Sequence, residues 1–171
     1  PVTFLTDDIF VYRTNCRDGW RNLYLCDMHG GIRRLTCVDA DVQFVAFGDF
    51  RLFYTSAEVS PVENHLFCLS LKPGKTLDKW KIGKSARLTP DRGFHSISLS
   101  PDMSRFIDSW TSFDNPGHTV FRSVKDGSVL EDLATATDRM EGVAQPEIEF
   151  GTVPSLLASF HTFVVNMEFI S

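Results

Sequence analysis

Three groupings in this 171-residue chain combine side chains of the kinds that carry chemistry. Glu58 and Glu63 lie close enough in sequence to act as a carboxylate pair. Such a pair does acid and base work only where the surroundings push the two pKa values apart. No partner group or apolar setting that would raise either is visible nearby, so both read as solvated loop residues. His95 and Ser96 set a base beside a hydroxyl. They occupy an alternating strand pattern, however, and adjacent strand residues point to opposite faces, so they cannot meet as base and nucleophile. Lys72, Lys75, Lys79, Lys81 and Lys84 surround Trp80, and basic residues around an aromatic can hold single-stranded nucleic acid. In a chain of formal net charge −5 and one such aromatic, a long solvated hairpin is the better reading, and no nucleic-acid partner is expected. Trp20 is read as a packing residue that caps a hairpin rather than as a ligand-stacking platform.

Cys16, Cys26, Cys37 and Cys68 show no C-x-x-C pair and no His at zinc-finger spacing, so neither a metal nor a cofactor is expected. Cys26 and Cys68 fall within strand patterns and read as small buried residues. A disulfide among Cys16, Cys26 and Cys37 stays open. A hydrolase nucleophile elbow requires G-x-S-x-G, because small residues must flank a Ser on a strained turn. Gly83-Lys84-Ser85-Ala86-Arg87 comes nearest and lacks the second Gly. No catalytic, cofactor-binding or metal-ligating residue is therefore assigned.

The elements that would position such groups are strands. Residues 17–36 open with a polar loop, run through Leu23-Tyr24-Leu25-Cys26, turn at His29-Gly30-Gly31 and return to Leu35-Thr36. Asn22-Leu23-Tyr24-Leu25 is echoed by His65-Leu66-Phe67-Cys68 and Thr119-Val120-Phe121-Arg122, and Arg34-Leu35-Thr36 returns as Arg87-Leu88-Thr89. Leu23, Leu66 and Val120 are spaced by 43 and 54 residues, the longer interval holding the polar insert 72–85. Self-similarity at this period, with four short strands per unit, is the pattern of a β-propeller blade. The predicted fold class is all-β: about three four-stranded antiparallel units of an incomplete propeller ring. Further strands are predicted over 9–14, 42–47, 51–56, 94–100, 106–110, 120–124 and 129–133, with a Pro101-Asp102 turn.

Residues 1–150 are taken as the partial propeller and 151–171 as an apolar tail that could complete a blade. Residues 134–142 have helix-compatible composition. The run 159–170 is interrupted by His161, Asn166 and Glu168 and is too short to span a bilayer. The chain opens at Pro1 with neither Met nor an apolar leader, which reads as a cut point.

One ordered set of residues resembles the propeller of the dipeptidyl peptidase IV family, in the prolyl oligopeptidase group of serine peptidases. It comprises Arg17-Asp18-Gly19-Trp20-Arg21-Asn22-Leu23-Tyr24, Leu35-Thr36, Tyr54-Thr55-Ser56, and Ser60-Pro61-Val62-Glu63-Asn64-His65-Leu66. It continues with Leu88-Thr89, His95-Ser96, Ser100-Pro101-Asp102, Ile107-Asp108-Ser109-Trp110, Leu130-Glu131-Asp132 and Pro146-Glu147. The resemblance implies the last three blades of an eight-bladed propeller that restricts access to an α/β-hydrolase domain. That domain's Ser, Asp, His triad releases X-Pro or X-Ala dipeptides from peptide N-termini. The implied partners are this hydrolase domain and, through the parent enzyme, peptide substrate, in a periplasmic or secreted setting. The family's Glu-Glu clamp for the substrate amine, its propeller Arg and the Lys-Pro lead-in to the hydrolase have no match here. The alternative is a protein-interaction propeller or an inactive relative. Three blades cannot close a ring, so association through open blade edges is expected.

Overall fold

The alternation that marks the strands also fixes which side chains face inward, and the three repeated units become three meandering sheets. In the computed structural model, residues 2–17 and 19–138 are described, together with the backbone of 146–153 and 162–169. The first blade contains β1 (Val2–Phe4), β2 (Ile9–Thr14), β3 (Asn22–Asp27) and β4 (Ile32–Arg34). The second contains β5 (Val42–Gly48), β6 (Arg51–Ser56), β7 (His65–Lys72) and β8 (Lys81–Arg87). The third contains β9 (Phe94–Leu99), β10 (Arg105–Thr111), β11 (His118–Ser123) and β12 (Val129–Thr135). Each is a four-stranded antiparallel sheet with its strands in chain order.

Packing distinguishes the middle blade from the outer two. In β6, Leu52 and Tyr54 face the first blade, while Phe53 faces the third. A strand buried on both faces must read as a continuous apolar run, and Leu52-Phe53-Tyr54 does. Between the first two blades, Ile9, Val11, Leu23 and Leu25 meet Val42, Leu52, Tyr54, Leu69 and Leu71. Between the second and third, a smaller apolar set joins Phe53, Leu66 and Leu88 to Phe106 and Val124. Burying each such side chain contributes about 1.5–3 kcal/mol.

Backbone bonds stitch the blades at equivalent places. The Val42 N–H donates to the Arg21 carbonyl at 2.8 Å, and the His95 N–H donates to the Asn64 carbonyl at 3.0 Å. The Asn64 N–H donates in turn to the Gly93 carbonyl at 3.1 Å. Gly127, at φ 75°, lies so close to the Leu88 carbonyl that a Cβ there would overlap its oxygen. At the Ser100-Pro101-Asp102 turn, hydrogen bonds from Ser100 and then Ser104 draw the exposed Asp102 carboxyl down to about 2.

Several expectations are corrected. Insert 72–85 is no solvated hairpin: β7 and β8 extend into it, and a short 3-10 turn, Leu77–Lys79, buries Leu77 and Trp80 in the first core. Arg33 holds it there, donating from one guanidinium nitrogen to the carbonyls of Leu77 (2.8 Å) and Trp80 (2.6 Å). The helix-compatible stretch begins as strand, since β12 runs through Thr135, and 139–145 lie outside the described residues. Cα packing divides the chain between Ala136 and Thr137. In the second unit, β13 (Pro146–Val153) pairs with β14 (Thr162–Phe169) in a two-stranded antiparallel sheet of its own. Among the described residues no helix is long and apolar enough to cross a membrane.

Candidate functional site between the second and third blades

The repeated Leu-Thr pairs have one structural job. Thr36 accepts the Leu23 N–H at 2.9 Å and donates its own hydroxyl to Asn22 Oδ1 at 2.9 Å. In the second blade Thr89 accepts the Leu66 N–H at 3.0 Å and meets His65 Nδ1 at 3.1 Å. With the Thr89 hydroxyl donating as Thr36 does, His65 Nδ1 is the acceptor and Nε2 carries the proton. That Nε2–H points at Glu63 Oε2, 2.8 Å away, and Arg92 Nε reaches the other oxygen of Glu63 at 3.2 Å.

Across the seam stands a second network. His95 directs Nδ1 at Asp108 Oδ1 (2.7 Å) and Nε2 at the Asp91 carbonyl (2.9 Å). Both ring nitrogens of His95 are thus engaged by oxygens of the third blade and the connecting loop. Arg122 donates from Nε to Asp108 Oδ2 at 2.8 Å, from Nη1 to the Gly127 carbonyl at 3.0 Å and from Nη2 to Asp91. His95, Asp108 and Arg122 are buried. The rings of His65 and His95 lie 5.0 Å apart, Trp110 stacks on His95 at 5.6 Å and His118 on Trp110 at 4.7 Å. The Arg122 guanidinium covers Trp110 at 5.3 Å.

Electrostatics follow from this placement. Burial would raise the Glu63 carboxyl, but hydrogen bonds and charge from His65 and Arg92 overcome it and hold the group below its ordinary value. Burial lowers His65, and the neighbouring His95 lowers it further against the opposing pull of Glu63. Burial pushes the Tyr54 hydroxyl, which meets Ser85 Oγ at 2.7 Å, up to about 12.

The sequence placed Glu63 in water; it is buried, because Ser60 and Asn64 fold its loop against the third blade. Glu58 remains exposed, yet desolvation by surrounding protein raises its carboxyl, with the Ser56 hydroxyl opposing. The two carboxylates therefore have separate surroundings and no shared substrate position. His95 is buried and Ser96 exposed on opposite faces of β9, as alternation requires. The pair His95–Asp108 has the polarity of a catalytic dyad but no nucleophile, since Asp91 occupies the second ring nitrogen. Ser85 sits within β8 rather than on a strand-to-helix turn. Trp20 is partly exposed, Trp80 is buried, and all four cysteines are free, with Cys16 and Cys37 at the surface. Among the described residues no group of three His, Cys, Asp or Glu side chains is arranged to hold a metal ion. On the outward face of the third blade a groove of about 470 Å³ is lined by Phe94, Ser96, Ser109, Trp110, His118 and Thr119.

Sequence reading missed the pairing of Glu63 with Arg92 in the first network and of Asp91 with Arg122 in the second. The available signal was the Asn22-Leu23 and His65-Leu66 equivalence, each answered by a Leu-Thr pair.

Residues 1–117 match the family model described as the dipeptidyl peptidase IV (DPP IV) N-terminal region. The chain belongs to this family. The DPP IV propeller segment is also similar to a solved structure, the crystal structure of Porphyromonas gingivalis dipeptidyl peptidase 4. That similarity has a TM-score of 0.70 at 21% identity and covers 87% of this chain and 21% of that one. It shows a shared fold. The segment spans about a fifth of that relative's length.

Proposed function

We propose that this DPP IV propeller segment is the non-catalytic part of a serine dipeptidyl aminopeptidase that releases N-terminal X-Pro and X-Ala dipeptides. The family match over 1–117 carries this reading. In it, the blades wall the approach to an α/β-hydrolase domain of the same parent chain, and that domain supplies the triad. The stitched seams support the role: a wall that admits short peptides and turns away folded chains must keep its blades in register. Homo-oligomers through the open blade edges, and a periplasmic or secreted setting, belong to the same proposal. The test compares the parent enzyme with its Thr89→Val variant on an X-Pro chromogenic dipeptide and on a long X-Pro peptide. Loosening the seam is expected to change kcat/KM several-fold for the long peptide and little for the short one. Equal effects on both substrates would remove the access role, and no X-Pro release by a parent with an intact triad would remove the peptidase reading.

A further inference from the structure

The two seams use one backbone plan with different chemistry. At the first, the Asn22 amide takes the Thr hydroxyl and the surrounding core is apolar. At the second, an imidazole takes it, and a second imidazole stands 5.0 Å away. We infer that the second seam is an acid-opened latch, in which a proton taken up by His65 sets a charge against the neighbouring His95 ring, removes the acceptor of the Thr89 hydroxyl and parts the second blade from the third.

The argument rests on what surrounds His65. From its own blade it meets Glu63 through Nε2 and Thr89 through Nδ1, with the Arg87 charge nearby. From the connecting loop Arg92 holds Glu63, and Asp91 holds Arg122. From the third blade it faces His95, which is held by Asp108 and backed by Arg122. Glu63 is thus already shared with Arg92, and Asp108 with Arg122. A new positive charge on His65 is met at Nε2 by Glu63, a carboxylate already shared with Arg92, and protonating Nδ1 ends its acceptance of the Thr89 hydroxyl. Thr89 is the acceptor for the Leu66 N–H at the start of β7, so the disturbance reaches the backbone. The lowered proton affinity of buried His65 agrees with this cost. The open seam takes the proton more readily than the closed one, so opening is favoured as pH falls below about 6.5. The first seam has no titrating counterpart at Asn22.

Amide hydrogen exchange on the full chain tests this, with rates corrected for intrinsic pH dependence. The His95 and Asn64 amides report the second seam, and the Val42 amide reports the first. Between about pH 7.5 and 5.5, protection at His95 and Asn64 is expected to fall about tenfold or more relative to Val42. In His65→Asn, which installs the side chain the first blade uses, the two seams are expected to respond alike. Ring NMR of the unsubstituted protein supplies a reading that needs no variant: His65 is expected to gain its proton over the range in which the seam opens. A parallel loss at both seams, an undiminished loss in His65→Asn, or a His65 ring still neutral once the seam has opened would each overturn the latch.

Discussion

Asp108 is fully buried and meets His95 Nδ1 with one carboxylate oxygen and the Arg122 guanidinium with the other. Removing one member of a buried ionic set leaves the others uncompensated, at a cost of about 3–5 kcal/mol. Asp108→Ala is therefore expected to lower the urea unfolding free energy by that amount, whereas Asp132→Ala, whose exposed carboxylate meets His118 at the surface, is expected to change it little. Thr36→Val and Thr89→Val each keep the side-chain shape and remove the hydroxyl that a buried Leu N–H requires. Each is expected to cost about 1–3 kcal/mol by the same assay. The pH dependence has a definite sign. His65 has a depressed folded value, so stability falls as pH drops from about 6.5 toward it. Glu63 also has a depressed folded value, so its contribution is present above about 4.5 and is lost below. Both act in the same direction, and urea midpoints are expected to decline on acidification in two stages. Little of this was legible beforehand. Alternation correctly set His95 and Ser96 apart, because it is a local property. The partnership of Arg122 with Asp91 spans 31 residues and exists only once two sheets stack, so no local pattern records it.

At the scale of elements, the repeats were legible because each blade repeats strand lengths, turn residues and the Leu-Thr pair. The strands Ile9–Thr14 and Arg51–Ser56 fall where the alternation placed them. Insert 72–85 misled because its five lysines suggest solvent, while the residues that decide its fate are Leu77 and Trp80. Lysine heads stay in water while the turn between them docks. Trp80→Ala is expected to destabilise the first seam by about 3–5 kcal/mol, read from chemical denaturation. Gly127 belongs to this scale too, because its positive φ and its approach to Leu88 join a turn of the third blade to the end of β8. For Gly127→Ala the backbone conformation alone costs about 1–3 kcal/mol, and the overlap with the Leu88 oxygen adds to it. The expected signature is faster exchange at Asn64 and His95 with Val42 unchanged.

For the whole molecule, the decisive feature is that the two outer blades each present an unfinished face. On the first blade Val2, Phe4, Tyr12 and Ile32 are exposed on one side, and their register places them together. On the third, Phe94 and Ile107 are exposed beside the groove. Apolar sheet faces of this kind drive association unless covered, so the isolated chain is expected to self-associate with rising concentration in light scattering. Phe4→Lys combined with Phe94→Lys is expected to reduce that association without lowering the unfolding midpoint. The propeller class was legible because it rests on repetition along the chain. The pairing of Pro146–Val153 with Thr162–Phe169 was not, because these two segments have no counterpart in the repeats. The proposed function places these blades in a serine dipeptidyl peptidase. Its most direct test is to express the entire reading frame containing this segment and assay release of dipeptides from an X-Pro substrate, with the Ser of any G-x-S-x-G replaced by Ala as the control. Release that is lost in the control is expected; a full-length product without a nucleophile motif, or one with an intact triad and no release, would overturn the peptidase reading.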